Sequence, residues 1–283
     1  MCPDSMTESD LKLSTLDQPQ PDGWAPSKAD SQLRLYCQVQ IDEHQGLVGA
    51  EVLLRWQHPE RGLVLPMDFI PLAENSGLIV PIGTWVLQEA CARLKVWQTD
   101  PHMRPLTLSV NVSAHQFRQS NYVAQVLEVL GTTGVDPRKL TLELTESLVL
   151  DHIAESIDKI RALRLAGVGF SLDDFGTGQS SLSHLQRLPL DQIKIDQSFV
   201  RDVTTNPNDT VIVRTIIGMA GNLGLAIIAE GVETEQQHDF LKHNGCHLYQ
   251  GYLFGEPVPI EELETRARTN SRPKHGGTPK SAR

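Results

Sequence analysis

Cysteines and long apolar runs are scarce in this chain of 283 residues. The four cysteines form no CxxC pair, and no apolar stretch has the length that a membrane-spanning helix needs. Cysteines this far apart indicate neither a zinc site nor a disulfide framework. The N-terminus also has neither the basic nor the apolar region of a secretory signal. We therefore expect a soluble, cytoplasmic chain without a membrane segment.

Positive charge and aromatic residues are also in short supply. The formal net charge is −10, and Phe, Trp and Tyr make up 5% of the sequence. Non-specific affinity for DNA or RNA comes from clustered Lys and Arg, so this charge argues against a nucleic-acid polymer as partner. A small phosphate ligand is still compatible with an acidic protein, because metal ions and a few placed cations reverse the local field.

The apolar pattern divides the chain into a central region and two polar ends. Residues 1–32 are rich in Ser, Asp, Gln and Pro without an apolar period, which predicts a flexible tail or linker remnant. Residues 269–283 are basic and poor in apolar residues, which predicts a disordered tail. The chain is 40% hydrophobic, enough for one large domain, which we place at 33–268.

The central region alternates β-rich runs with segments of helical period. The β-rich runs are LRLYCQVQI, LVGAEVLLRW, LTLSVNVS, LTLELTE, GVGFSLDDF, QIKIDQSFV, LAIIAEGV and LYQGYLF. The helical segments include IGTWVLQEACARLKVW, NYVAQVLEVLG, HIAESIDKIRALRLAG, NDTVIVRTIIGMAGNLG and ETEQQHDFLKHNG, several of which close in Gly as a C-terminal cap would. Eight strands with intervening helices predict an α/β fold, a (β/α)8 or TIM barrel. The first connection, DEHQG, is too short for a crossover helix, so we expect a modified barrel whose first strand is antiparallel to its neighbour.

Nearly every predicted strand carries a polar residue in its interior or near its C-terminal end, where barrel enzymes place their chemistry. These residues are Glu51, Asn111, Glu143, Glu146, Asp173, Asp174, Lys194, Asp196, Glu230, Glu233 and Gln250. Any one of them is as easily a surface residue, but the same feature on seven strands is poorly explained in that way. Five or more carboxylates at one mouth would repel one another, which predicts cations among them. Carboxylate and amide oxygens without matching His or Cys favour Mg²⁺ or Mn²⁺ over zinc.

Two details refine this hypothesis. Asp173 and Asp174 are adjacent, so in a regular strand they point to opposite faces. They serve one site only where the strand gives way to the following loop, FGTGQSS, and that geometry suits a bridge between two metal ions. The histidines, among them His58, His115 and His184, do not share the strand positions of the carboxylates, and we interpret them as surface or loop residues.

Eight strings of the sequence resemble the EAL-domain family of cyclic di-GMP phosphodiesterases, in the order and spacing of that family. They are EVLLRW at Glu51, PMDFIPLAENSGLI at Pro66, NVSAHQF at Asn111, LELTES at Leu142, DDFGTGQSSL at Asp173, IKIDQSFV at Ile193, AEGVET at Ala229 and QGYLFGEPVP at Gln250. The likeness runs from about Leu33 to Glu264. It implies an enzyme that hydrolyses one phosphodiester bond of cyclic di-GMP, a bacterial second messenger, to the linear dinucleotide pGpG.

The resemblance also implies roles for single residues. The implied ligands of two Mg²⁺ or Mn²⁺ ions are Glu51, Asn111, Glu143, Asp173, Asp174 and Glu230. The implied catalytic residues are Lys194, which orients or polarises the attacking water, Glu230, a general base or a metal ligand, and Glu51. The implied substrate-binding residues are Gln38, Leu53, Arg55, Asp196 and Gln250, of which Gln250 also supports metal or water. Glu146 matches an acid that anchors the loop after Asp173, a loop that takes part in metal binding and dimer contact.

Three positions depart from the family pattern. The signature reads EVL rather than EAL because of Val52, which removes no ligating atom, so we expect activity to survive. Gln179 stands where the family usually has an aromatic residue after the loop glycine, which bears on the packing of that loop. Val39 replaces the usual Pro after Gln38.

Other interpretations account for parts of the pattern. A degenerate domain of the family would bind cyclic di-GMP as a sensor without cutting it, but such domains typically lose a metal ligand, the Lys or the catalytic Glu. A sugar-processing barrel would use two carboxylates, whereas this chain has many more acids and few aromatics to stack on sugars. Lys194 and Glu230 would also suit a buried ion pair that only stabilises the barrel. The resemblance further implies a homodimer, and any sensor or diguanylate cyclase domain would lie upstream of these residues.

Overall fold

The computed structural model describes residues 32–176 and 182–270. The strands are β1 (Leu33–Asp42), β2 (Leu47–His58), β3 (Gly62–Val64), β4 (Thr107–Asn111), β5 (Leu140–Thr145), β6 (Gly169–Phe175), β7 (Gln192–Ile195), β8 (Ala226–Ala229), β9 (Leu248–Tyr249) and β10 (Val258–Pro259). The helices are α1 (Pro66–Asn75), α2 (Ile79–Trp97), α3 (Ala114–Phe117), α4 (Tyr122–Thr133), α5 (Glu146–Asp151), α6 (Ile153–Leu165), α7 (Leu182–Leu185), α8 (Gln197–Arg201), α9 (Pro207–Leu223), α10 (Glu235–His243) and α11 (Ile260–Asn270). A 3₁₀ turn covers Pro137–Lys139. Within the described residues, no helix combines the length and the apolarity that crossing a bilayer requires.

Eight of these strands close into a barrel. Strands β2, β4, β5, β6, β7, β8 and β9 pair in that order and run parallel. Strand β1 closes the ring and is antiparallel to both of its neighbours, β9 and β2. The short strands β3 and β10 add antiparallel pairings to β2 and β1. The predicted α/β class, the modified TIM barrel and the antiparallel first strand are therefore confirmed. The predicted boundaries at 32 and 268 stay predictions, because 1–31 and 271–283 lie outside the described residues.

The inverted first strand depends on the tight turn between β1 and β2. The Asp42 carboxylate accepts hydrogen bonds from the backbone N–H groups of His44 at 2.9 Å and of Gly46 at 2.7 Å. Gln45 adopts φ = 61°, in the left-handed region that such turns require. A turn of this length can join only antiparallel strands, since a parallel connection needs a crossover of a dozen or more residues.

The alternation of side chains along the strands separates the apolar core from the polar interior of the barrel. On β5, Leu140, Leu142 and Leu144 are fully buried in the apolar core shared with the helices. Glu143, between two of these leucines, must then point to the inner face of the barrel. The same period of two explains why otherwise apolar strands present acids to the barrel interior.

Each predicted strand and helix has a counterpart, but some strands end sooner than the sequence suggests. The run QIKIDQSFV was expected to be one strand, yet β7 ends at Ile195 and α8 follows directly. The reason is Asp196, whose carboxylate caps the new helix by accepting from the Ser198 backbone N–H at 3.0 Å. The run LYQGYLF is a strand only over Leu248–Tyr249.

The interpretation of the histidines as surface or loop residues is wrong for His58 and His238, which are buried in β2 and α10. His58 Nδ1 accepts hydrogen bonds from the backbone N–H groups of Glu60 at 3.1 Å and Arg61 at 3.2 Å. It thereby supports the turn between β2 and β3. His238 packs edge-on against Tyr249, with ring centroids 4.6 Å apart. Both histidines have structural roles that periodicity alone does not reveal.

Glycines in the left-handed region cap two of the long helices. Gly224, with φ = 70°, caps α9 as the sequence predicted, whereas α4 runs past the predicted cap at Gly131 and is capped by Gly134, with φ = 61°. At Gly224 no atom lies within 4 Å of the position that a Cβ would take, so backbone conformation is the only obstacle to a larger residue. Gly221, one turn earlier in α9, also has open space around it, but its backbone is helical.

These two glycines make a matched test of the helix cap. Gly224→Ala is expected to lower the free energy of unfolding by about 1–2 kcal/mol, because an L-residue is strained in the left-handed region. Gly221→Ala is expected to raise it by roughly 0.5–1 kcal/mol, because alanine is the better helix former. Urea unfolding of both variants checks this, and equal effects of the two changes would contradict the assigned cap.

Candidate active site

A cluster of ionisable side chains fills the barrel at the C-terminal ends of the parallel strands. Glu51 comes from β2, Glu143 from β5, Asp173 from β6 and Lys194 from β7, while Glu230 directly follows β8. All five are on the inner face, and five strands therefore bring together residues up to 179 positions apart in sequence. The structure thus places the predicted catalytic residues in one site at the end of the barrel where such enzymes keep their chemistry.

The Lys194 ammonium lies among four carboxylates. Nζ is 2.6 Å from Glu230 Oε1, 2.7 Å from Glu143 Oε2, and 3.3 Å from both Glu51 Oε2 and Asp173 Oδ1. Its side chain is 1% exposed. Such a buried charge is tolerated only with close partners, and the cluster provides them.

The charge of Lys194 is fixed by this arrangement. Burial alone would lower the pKa of the ammonium, but the surrounding carboxylates, Glu143 foremost, raise its pKa well above the ordinary value. The side chain therefore stays protonated at neutral pH. It can orient a ligand or stabilise negative charge, but it cannot act as a general base.

The single positive charge of Lys194 does not balance the four carboxylates around it. Burial, assisted by repulsion from the neighbouring acids, raises the pKa of Glu143 and of Asp173 above their ordinary values. Burial likewise raises the pKa of Glu230 to about 8. One ammonium does not offset four acids, so part of the cluster retains protons at neutral pH unless further cations enter it.

Glu51 differs from the other acids because amide groups also support it. Asn111 Nδ2 donates to Oε1 at 2.6 Å, and Gln250 Nε2 donates to Oε2 at 2.6 Å. Burial tends to raise the pKa of Glu51, but the charge of Lys194 and these hydrogen bonds together lower it. Glu51 is therefore the acid of the cluster that is most firmly ionised.

The backbone breaks its regular strand conformation at Asp174. This residue has φ = 55°, and the register between β6 and β7 shifts between Leu172 and Phe175. The Asp174 N–H donates to Asp173 Oδ1 at 2.9 Å. Partial burial and the charges of Asp173 and Asp196 raise the pKa of Asp174. The strand is therefore irregular at Asp174, as predicted if Asp173 and Asp174 are to serve one site.

Arg55 supplies a second cation beside the cluster. It is buried on β2, two strand periods beyond Glu51, and Leu53 shares their inner face. Its guanidinium lies over the Tyr36 ring, 5.4 Å from the centroid, and Nη1 donates to the Leu54 carbonyl at 2.9 Å. Among the described residues, no carboxylate lies within ion-pair distance of it, which leaves the guanidinium suited to an anionic ligand.

Glu146, at the start of α5, has the position expected of a loop anchor. It is buried, and Oε2 accepts a hydrogen bond from the Gly176 N–H at 3.3 Å. Its other oxygen, Oε1, has no hydrogen-bond partner among the residues that the structure describes. The rest of the loop, including Gln179, lies outside those residues. The role of Glu146 as loop anchor therefore stays a prediction.

Other predicted residues lie at the edge of the cluster or outside it. Asp196 is half-buried and caps α8, and Glu233 is exposed. The two methyl groups of Val52 belong to the apolar core, away from the acids on the inner face. Gln40 and Tyr36 on β1 also border the site and were not predicted from the sequence. Gln40 is separated from Gln38 by one residue, so strand alternation alone would have placed both on the inner face.

The oxygen atoms of the cluster are suitable ligands for a divalent cation, but the carboxylates are not spaced as they would be around a bound ion. Carboxylate and amide oxygens are the ligands that Mg²⁺ and Mn²⁺ prefer, and the raised pKa values show that the cluster lacks positive charge. In the described part of the chain, no three His, Cys, Asp or Glu side chains are spaced to hold a metal ion. Lys194 holds the same carboxylate oxygens, so added cations and this ammonium would compete for them.

Comparison with known proteins identifies this arrangement. The family model named EAL domain matches residues 25–257. The chain belongs to the EAL domain family. Phosphodiesterases of this family are generally dependent on divalent metal ions.

Relatives of this EAL domain include longer signalling proteins of Pseudomonas aeruginosa. The bifunctional diguanylate cyclase/cyclic di-GMP phosphodiesterase MucR is 43% identical over 82% of this chain and 34% of its own length. The cyclic di-GMP phosphodiesterase NbdA is 43% identical over 83% of this chain and 30% of its own length. The chain therefore spans about a third of the length of these curated relatives.

Solved EAL structures share the barrel. A MucR phosphodiesterase in complex with c-di-GMP is 43% identical and superposes with a TM-score of 0.80, covering 82% of this chain and 94% of that one. The EAL domain of Mycobacterium smegmatis DcpA is 35% identical, with a TM-score of 0.73, over 84% of this chain and 98% of that one. Both confirm the fold of the EAL domain described above.

The raised pKa of Glu230 predicts how stability depends on pH without metal ions. A carboxyl whose pKa is higher in the folded protein than in the unfolded chain favours folding while it is protonated. Its contribution is therefore present below about pH 4.5 and is lost as the pH rises through about 8. We expect the melting temperature in EDTA to fall across this window, and to fall less in Glu230→Gln.

An exposed acid provides the control. Glu128→Gln on α4 should keep the pH dependence of the unmodified chain, because Glu128 is exposed and remote from the cluster. Melting curves at several pH values check the comparison. A Glu230→Gln variant with the same pH dependence as the Glu128→Gln variant would contradict the assigned burial of charge.

Proposed function

We propose that this EAL domain hydrolyses one phosphodiester bond of cyclic di-GMP to give pGpG, with Mg²⁺ or Mn²⁺ as cofactor. The proposal rests on one observation: five charged side chains meet at the C-terminal end of the barrel, namely Lys194, Glu51, Glu143, Asp173 and Glu230. A domain of this family that does not hydrolyse its ligand would lack one or more of these groups. Two relatives, MucR and NbdA, are named as cyclic di-GMP phosphodiesterases, which supports the choice of substrate. So does the c-di-GMP complex of the MucR phosphodiesterase.

The implied ligand set for two metal ions is Glu51, Asn111, Glu143, Asp173, Asp174 and Glu230. When bound, such ions lower the pKa of water and neutralise the charge that develops in phosphoryl transfer. The protein's own contribution begins with Arg55, whose guanidinium has no acid partner among the described residues and is suited to a phosphate oxygen. Gln38, Leu53, Asp196 and Gln250 would contact the remainder of the dinucleotide.

Two side chains supply the chemistry beside the scissile bond. Lys194 remains a cation, so it orients the attacking water and offsets negative charge in the transition state. Glu230 changes its protonation near neutral pH, because burial raises its pKa to about 8. It is therefore suited to accept the proton of the attacking water. Glu230 Oε1 lies 2.6 Å from Lys194 Nζ, so the group that would accept the proton of the water lies beside the group that would orient it.

The biological setting follows from the same resemblance and stays a prediction. We propose a cytoplasmic domain that lowers the concentration of the second messenger and works as a homodimer through the face near FGTGQSS. That loop lies partly outside the described residues. The region aligned with this chain is about a third of each curated relative, and we propose that any sensor or diguanylate cyclase domain lies outside it.

The first test is hydrolysis itself. Incubation with cyclic di-GMP and Mn²⁺ or Mg²⁺ should yield pGpG on chromatography, and EDTA should stop the reaction. Ca²⁺ in place of Mn²⁺ should suppress it, because the larger ion has a looser shell and activates water poorly. Binding of cyclic di-GMP without any product would favour the sensor, and full turnover in EDTA would refute the metal requirement.

The Lys194→Met variant tests whether Lys194 acts in the hydrolysis step itself, rather than only in metal binding or in the stability of the fold. We expect turnover to fall by roughly 10²–10⁴, the range for loss of a positioning or acid–base group. Mn²⁺ affinity should be kept or become tighter, because the ammonium no longer competes for the carboxylates. Lys159→Met is the matched control. Lys159 is also buried, but it donates to the Phe117 carbonyl at 2.6 Å, away from the cluster.

Calorimetry, melting curves and turnover on the same samples distinguish the outcomes. The control variant should lose stability and keep its specific activity. If Lys194→Met also loses stability and keeps its specific activity, the residue belongs to a structural ion pair rather than to the hydrolytic centre.

A further inference from the structure

Three buried glutamine side chains form a hydrogen-bonded chain that ends on Glu51. Gln40 Nε2 donates to Gln250 Oε1 at 3.0 Å. Gln250 Nε2 donates both to Glu51 Oε2 at 2.6 Å and to Gln38 Oε1 at 3.1 Å. Gln38 Nε2 in turn donates to the Gly255 carbonyl at 3.1 Å. The three glutamines are between 4% and 8% exposed, so water does not replace these contacts.

The hydrogen bonds leave the Gln250 amide only one orientation. An ionised carboxylate such as Glu51 only accepts hydrogen bonds, so the NH₂ end of Gln250 must face it. Both N–H groups are then used, one on Glu51 and one on Gln38, and the oxygen is left to face Gln40. Gln40 meets that oxygen with a donor. Without this donor, the buried Gln250 oxygen would lose its hydrogen-bond partner, and only Gln38 and Glu51 would still hold the NH₂ end of the amide in place.

A glycine opposite Gln40 on β2 leaves room for the Gln40 amide. Gly49 on β2 is the cross-strand partner of Gln40. A Cβ at Gly49 would lie 3.3 Å from Gln40 Oε1 and 2.5 Å from Thr107 Oγ1. A larger residue at this position would therefore displace the amide. Gln40 lies on the inverted strand, and its partner Gln250 is 210 positions away in sequence.

We propose that Gln40 is a positioning residue, which fixes the Gln250 amide so that Glu51 always receives an N–H donor and presents its remaining lone pairs to a divalent cation. The inference rests on the proposed function, because it assumes that Glu51 is a metal ligand. Hydrogen bonds from such outer partners hold ligating carboxylates in place, and their loss costs typically about 10–100-fold in metal affinity or activity. Gln40 acts only through Gln250, so it touches neither the metal nor the substrate.

Two variants of Gln40 separate this role from packing and from simple charge. Gln40→Met keeps the length of the side chain but removes the donor, so the Gln250 oxygen is left without a partner and the amide is held less firmly. Gln40→Glu replaces the donor by an acceptor, which draws the Gln250 NH₂ towards residue 40 and its oxygen towards Glu51. A new carboxylate acting only through its charge would attract a cation and tighten binding. Gln236→Glu on the exposed side of α10 is the control.

The experiment measures Mn²⁺ affinity by calorimetry, melting temperature in EDTA and turnover of cyclic di-GMP for all four proteins. We expect Mn²⁺ affinity to fall roughly 10–100-fold in both Gln40 variants, more in Gln40→Glu, and to be unchanged in Gln236→Glu. If Gln40→Glu does not fold, the loss of affinity in Gln40→Met decides the matter alone.

The outcomes are distinguishable from failure of the proposed function. Unchanged Mn²⁺ affinity in Gln40→Met, or tighter binding in Gln40→Glu, would overturn the role of Gln40. Tight Mn²⁺ binding by the unmodified chain without hydrolysis would overturn the proposed function alone, and the affinities of the variants would still test Gln40. No Mn²⁺ binding by the unmodified chain would overturn both.

Discussion

The contact between one buried ammonium and four carboxylates is the constraint on which the rest of this site depends. Lys194 holds Glu51, Glu143, Asp173 and Glu230 within 3.3 Å. The positive charge allows four acids to lie in the interior of a barrel, where each alone would be costly. It does not neutralise them, and burial still raises the pKa of three. The cluster can therefore form, and its acids still outnumber its positive charge.

The barrel provides this constraint through the period of its strands. Strands such as β5 and β7 send leucine or isoleucine outward to the helices and a charged side chain, Glu143 or Lys194, inward near the C-terminal end. The inverted strand β1 contributes in another way. It brings the amides of Gln38 and Gln40 against Gln250, whose own amide donates to Glu51, the most firmly ionised carboxylate. The charged groups of the site therefore come from the parallel strands, whereas the glutamines that orient the Gln250 amide come from the inverted strand β1.

Much of this could be predicted from the sequence, because the barrel turns strand position into spatial position. Polar residues near the ends of Leu- and Ile-rich strands predicted the acids and Lys194, and the short turn after Asp42 predicted the inverted strand. The start of α8 was missed because the Asp196 cap, which accepts from the Ser198 N–H, overrides the strand propensity of Phe199 and Val200. The role of Gln40 was missed because its partner is distant in the chain, and only the closed ring brings the two amides together.

The central claim is that buried acids hold protons which an entering divalent cation must displace. Calorimetric titration of Mn²⁺ at pH 7, repeated in buffers of different ionisation enthalpy, counts those protons directly. With the pKa of Glu230 at about 8, the account predicts release of roughly one proton or more at pH 7, and a smaller release at about pH 9. Mn²⁺ binding with no proton release at pH 7 would contradict it.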